Sequence, residues 1–77
     1  MDNCTMVIYF TARSSVSVPL SNALLEEVQD GYTLHADCGI EFSVYNDDLL
    51  SQSHNDDQDV FIFRGNETPS KITLDWH

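Results

Sequence analysis

Basic residues are nearly absent from this chain of 77 residues. Three bases, Arg13, Arg64 and Lys71, stand against thirteen Asp and Glu, which gives a formal net charge of −10. A chain with this charge repels phosphate, so we expect no direct binding to DNA, RNA or an anionic membrane. The composition instead predicts a basic partner.

Glycine, proline and cysteine are also scarce, and no apolar run is long. Three Gly and two Pro exclude the collagenous and low-complexity classes. Two cysteines, Cys4 and Cys38, are too few for a disulfide scaffold, so we expect free thiols in a reducing compartment. Without an apolar leader or a run of about 18 apolar residues, we expect no signal peptide or membrane span and predict a cytoplasmic location, in the host cytoplasm if a phage encodes the chain.

Hydrophobic residues make up 42% of the sequence and are spread along it, which predicts one domain over residues 1–77. Apolar alternation and β-branched residues favour strands over 5–11, 32–38, 40–45, 60–64 and 71–76, with a hairpin turning at Cys38 and Gly39. Leu20, Ala23, Leu24 and Val28 recur at helical spacing, which predicts a helix of about twelve residues between Pro19 and Gly31. Residues 46–59 indicate a long loop, or a short helical turn followed by a loop.

The predicted fold class is therefore α+β. We expect a mainly antiparallel sheet of four to five strands in the order β-α-β-β-β-β, with the helix packed on one face. The other face would meet solvent or a partner.

Acidic residues accumulate in the predicted helix end, on the outward side of the hairpin and in the loop after it. Since almost no bases are present to pair with them, these carboxylates can present a phosphate-like surface to a basic cleft. Tyr45, on the outward side of the hairpin, is the expected aromatic anchor. The candidate partner-binding residues are Glu26, Glu27, Asp30, Asp37, Glu41, Tyr45, Asp47, Asp48, Asp56, Asp57 and Asp59.

In size and charge the chain resembles small acidic cytosolic proteins of phage and mobile elements, among them DNA-mimic inhibitors and anti-CRISPR proteins. This resemblance is one of class and rests on no sequence motif. It implies a protein that binds and inhibits a nucleic-acid-binding protein or ribonucleoprotein complex by occluding its basic channel. Two alternatives stay open: an immunity or antitoxin module that neutralises a basic nuclease toxin, and a structural module that forms homodimers through edge strands.

The sequence favours a binding protein over an enzyme, because it contains no phosphate loop, nucleophile elbow or zinc-protease motif. One His-x-x-Cys pair, His35 and Cys38, has no second pair to complete a zinc site. Residues 55–59 place oxygens at alternate positions like a calcium loop, but Val60 replaces the required glycine and Asn66 the bidentate glutamate. We therefore expect no metal and no cofactor.

Overall fold

Seven antiparallel strands form one curled sheet in the residues that the computed structural model describes, which are 2–11, 13–65 and 69–77, with Cys38 described by its backbone alone. The strands lie side by side in the order β4-β3-β2-β1-β7-β6-β5, so β4 and β5 are the edges. Short 3-10 turns occupy Asp37–Gly39 and Asn46–Asp48. The strands are β1 (Asp2–Thr11), β2 (Ser14–Val28), β3 (Gly31–His35), β4 (Glu41–Tyr45), β5 (Leu49–His54), β6 (Gln58–Phe63) and β7 (Lys71–Trp76).

The long strand β2 belongs to both halves of the sheet. Its first part pairs with β1 and its last five residues pair with β3. Near the end of the first part the register with β1 shifts between Leu20 and Ala23, and Asn22 takes a left-handed backbone with φ 51°. A β-bulge of this kind bends a strand and increases its twist. We call β1, β5, β6, β7 and the first part of β2 the first half, and β3, β4 and the last part of β2 the second half.

The α+β prediction is wrong, because the residues expected to form the helix lie in β2. Leu20 and Ala23 are buried at 4% and 1% exposure, and their spacing of three arises because the bulge adds a residue between two inward positions. Leu24 and Val28, which the helix would bury, are 41% and 39% exposed. The described residues contain no α-helix. No helical segment among them is long or apolar enough to cross a bilayer.

Both halves contribute to one core. The ring of Tyr32 from β3 meets the ring of Phe61 from β6 edge to face, with centroids 5.3 Å apart. A cavity lined by Tyr32, Leu34 and Phe61 inside this core has a volume of about 10 Å³, which is too small for a ligand. The fully buried apolar residues are Cys4, Met6, Leu20, Ala23, Leu34, Val44, Leu49, Phe61, Ile72 and Leu74.

Several of the predicted strands are confirmed. The β3–β4 hairpin forms with Thr33 opposite Ser43, and its turn is the 3-10 segment that follows Ala36. Strands β1, β6 and β7 match the expected segments, with Ile72 and Leu74 inward. Residues 46–59 differ from the prediction, because they contain the additional strand β5 after a short 3-10 turn.

Gly31 is required where β3 begins, because the neighbouring strand approaches its backbone closely. A Cβ atom at this position would lie 1.9 Å from the carbonyl oxygen of Val44. We expect Gly31→Ala to lower the free energy of unfolding by about 1–3 kcal/mol, since the crowded pair must separate. Urea denaturation measures the change. Gln29→Ala, an exposed substitution in the adjacent turn, is the control, and an equal effect in both variants would contradict the close approach.

Candidate protein-binding surface

The outer side of the second half is uncovered by any other described element. Adjacent strands place its side chains in rows, because paired residues in antiparallel strands point to the same face. Tyr45 is 52% exposed, and its neighbour across the pair is Gly31, which has no side chain. The rows are Val28, Gly31 and Tyr45; Glu26, Thr33 and Ser43; and Leu24, His35 and Glu41.

A recess at the end of this surface collects acids from two distant segments. It is lined by Gln29 and Asp30 from the β2–β3 turn and by residues 45–48 from the end of β4 and the 3-10 turn. The backbone N–H of Asn46 donates to the carbonyl oxygen of Asp30 at 2.9 Å, which fixes the two turns together. Asp47 and Asp48 thereby line the same recess as Asp30.

We call the surface formed by Glu26, Asp30, Glu41, Tyr45, Asp47 and Asp48 the acidic face. All six residues are exposed, and all six were expected from the sequence to bind a partner. The helix prediction left Glu26 and Asp30 at an unfavourable helix end, and the strand removes that conflict because it has no comparable dipole.

The three bases make no ion pair within 4 Å with these carboxylates, although Arg64 lies next to Asp48, whose carbonyl oxygen accepts from the Arg64 backbone N–H at 2.9 Å. The Nζ of Lys71 lies 4.5 Å from the centroid of the Tyr9 ring, on the first half. The Nε of Arg64 donates to the carbonyl oxygen of Leu49 at 2.9 Å, and Arg13 precedes β2. Among the described residues, ion pairs within 4 Å join carboxylates to histidines alone; on the acidic face, His35 Nδ1 lies 3.6 Å from Glu41 Oε2.

Five other expected acids lie outside the acidic face, and four of them are exposed. Asp37 accepts a hydrogen bond from Asn22 Nδ2 at 2.8 Å, which ties the 3-10 turn to the bulge. Glu27 lines a groove between the two halves, together with Tyr32 and Gln52. Asp56 and Asp57 are exposed in the turn that follows β5.

The turn after β5 is built by Asn55. Its side-chain oxygen accepts from the backbone N–H groups of Asp57 at 3.1 Å and Gln58 at 2.9 Å. This arrangement is an Asx turn, in which the side-chain oxygen replaces a backbone acceptor. The alternating oxygens at 55–59 are thus explained by turn formation.

Asp59 lies in the interior, although the sequence analysis named it as a candidate partner-binding residue. Asp59 is 2% exposed. One carboxylate oxygen is 2.6 Å from His54 Nδ1, and the other accepts from the indole N–H of Trp76 at 2.7 Å. His54 and Trp76 were not identified from the sequence. The sequence did contain one indication that Asp59 is buried: it lies two residues before Phe61 along β6, and alternate residues of a strand point to the same face.

The remaining metal and nucleophile candidates are dispersed. His77 contacts the Thr5 hydroxyl at 2.8 Å, while His54 is held by Asp59. No group of three or more His, Cys, Asp or Glu side chains in the described part of the chain is arranged to hold a metal. Burial raises the pKa of the Cys4 thiol above that of an ordinary cysteine, and the carboxylate of Asp75 raises it further. Cys4 is therefore a poor nucleophile at neutral pH.

Comparison with known proteins identifies no matching family model, curated protein or solved structure.

Asp59 stabilises the fold by accepting two hydrogen bonds near the core. We expect Asp59→Ala to lower the free energy of unfolding by about 1.5–3 kcal/mol, because hydrogen bonds to a charged acceptor are lost and the indole N–H is left unpaired. His54→Ala should lower the free energy of unfolding by less, since the His54 side chain is 67% exposed and water can replace it as a hydrogen-bond partner. Thermal and urea denaturation measure both values, and a larger loss for His54→Ala would contradict this assignment.

Proposed function

We propose that this protein binds and inhibits a nucleic-acid-binding protein or ribonucleoprotein complex, with the acidic face occupying a basic nucleic-acid site. The observation that supports the proposal is the grouping of five carboxylates around an exposed tyrosine on one uncovered surface. No Lys or Arg belongs to β3, β4 or the last part of β2.

The acidic face suits a basic cleft for two physical reasons. Unpaired surface carboxylates steer a basic partner during the encounter, and the rate gain falls as salt increases. Tyr45 can then bury a large rigid side chain, and aromatic residues of this kind carry much of the binding energy at protein interfaces. Exposed Val28 and Leu24 add apolar area on the same side.

Occlusion is sufficient for inhibition. A nucleic acid gains most of its affinity from the Lys and Arg side chains of the protein that binds it. An anionic protein surface that occupies those side chains therefore excludes the nucleic acid. The inhibitor needs no catalytic group.

The charge of the acidic face should control partner binding. We expect the double variant Glu26→Gln/Glu41→Gln to retain at least tenfold less partner than the unmodified protein in affinity capture from a lysate of the cells that express it. The reason is the loss of two attractive charges within the interface. Mass spectrometry identifies the captured protein, and capture at low and moderate salt measures the electrostatic contribution.

The matched control for this experiment is Ser15→Lys/Ser17→Lys. These exposed positions lie on the first part of β2, and the control raises the net charge by two, as the test variant does. Equal loss in both variants would show a general charge effect and contradict the assigned surface. Capture of one basic nuclease toxin would instead assign the protein as an immunity module.

Tyr45 should determine how long the complex lasts. We expect Tyr45→Ala to increase the dissociation rate of the captured partner about tenfold or more, equivalent to about 1.4 kcal/mol. Surface plasmon resonance measures the rate. Val16→Ala truncates a side chain of similar exposure, 49%, on the first half and should leave the rate unchanged. If both variants dissociate alike, Tyr45 is not an anchor.

A further inference from the structure

Edge strand β5 presents unpaired backbone groups to solvent. Its one hydrogen-bonded neighbour in the described sheet is β6. The N–H of Asn55 donates to the carbonyl oxygen of Gln58 at 2.9 Å, and residues of an antiparallel pair alternate between facing the partner and facing away. The N–H and C=O groups of Gln52 and His54 therefore point away from β6. They can accept a further strand.

This edge has little of the protection that sheet edges normally carry. Charged residues and proline usually prevent pairing with another strand, but Leu49 to Ser53 contain neither. Leu50 is 67% exposed, the highest value among the exposed large apolar residues. A register shift at Leu50 interrupts one end of the strand, and the pairing from Ser51 to His54 is regular.

Acids lie immediately before and after the uncharged strand. Asp47 and Asp48 precede β5, and Asp56 and Asp57 follow it, all four exposed. Six residues of extended chain span about 20 Å. A strand added along β5 thus meets two carboxylates at each end and an uncharged stretch from Leu50 to Ser53. The Arg64 guanidinium lies at the Leu49 end, where its Nε donates to the Leu49 carbonyl oxygen at 2.9 Å.

We propose that β5 binds an extended strand of the basic partner by strand addition, with Lys or Arg at both ends of that strand and uncharged residues in its middle. Main-chain hydrogen bonds would supply affinity and the terminal acids would supply specificity. The inference rests on the proposed function, because that function supplies the basic partner.

Charge complementarity favours this occupant over a second copy of the chain. In an antiparallel pair of β5 strands, Asp47 and Asp48 of one copy would face Asp56 and Asp57 of the other. A parallel pair would place identical acids together. Both arrangements bring like charges opposite one another, which is destabilising, and each copy carries a net charge of −10.

Amide hydrogen exchange measured by NMR tests the inference directly. The probe is a synthetic peptide, Lys-Lys-Val-Thr-Val-Thr-Lys-Lys, with both ends blocked. We expect its addition to slow exchange at the amides of Gln52 and His54 at least tenfold, because these N–H groups become hydrogen-bonded. A peptide of the same length with proline in place of the central threonine and following valine lacks the required donors and should give no protection.

Two protein variants with equal charge changes locate the site. Leu50→Lys places a positive charge on the edge and should abolish the protection, whereas Ser17→Lys, on an exposed position of β2, should preserve it. Both positions are exposed, and circular dichroism checks that each variant is folded.

Three results would overturn the inference. One is the absence of protection at Gln52 and His54 with millimolar peptide. Another is equal protection in the two Lys variants. The third is protection without peptide that grows with protein concentration, which would assign the edge to a second copy. None of these results contradicts the proposed function, which fails instead if Glu26→Gln/Glu41→Gln leaves partner capture unchanged.

Discussion

The bulge at Asn22 is the constraint on which the rest of the structure depends. With one added residue in left-handed conformation, β2 changes direction and pairs with β1 on one side of the bend and β3 on the other. The second half can therefore fold over the first and bury Leu34 and Val44 against Phe61 and Ile72. Without this bend, a small sheet would leave its apolar side open to water.

The same bend determines where charge can be tolerated. The two halves cover each other's apolar sides. The outer side of β3 and β4 is therefore not part of the core and can carry polar residues. Carboxylates can occupy that side at modest cost because water solvates them, even though their mutual repulsion opposes compaction. Asp59 is the exception, and there Trp76 and the more exposed His54 each place a ring nitrogen within hydrogen-bond distance of the buried carboxylate.

Local pattern predicted much of the sheet and the acidic face, but it could not predict β2. The hairpin was identifiable because Thr33, Glu41, Ser43 and Tyr45 alternate with apolar residues at period two. In β2 the bulge breaks that period, and the resulting three-residue spacing between Leu20 and Ala23 imitates a helix. Ser15 and Ser17 alternate with Val16 and Val18, which is a strand pattern, but serine also favours loops. The proximity of Asp30 to Asp47 depends on tertiary packing and has no local signal.

The sheet order also joins the beginning of the described chain to its end. Strand β1 pairs with β7 from Cys4 opposite Trp76 to Tyr9 opposite Lys71, in the middle of the sheet. During synthesis, β1 and β2 must therefore wait for the last strand before the core can close. Such long-range pairing slows folding relative to local contacts. The nascent chain would expose apolar strand surface until β7 has been synthesised, and its many like charges help to keep neighbouring chains from aggregating during that time.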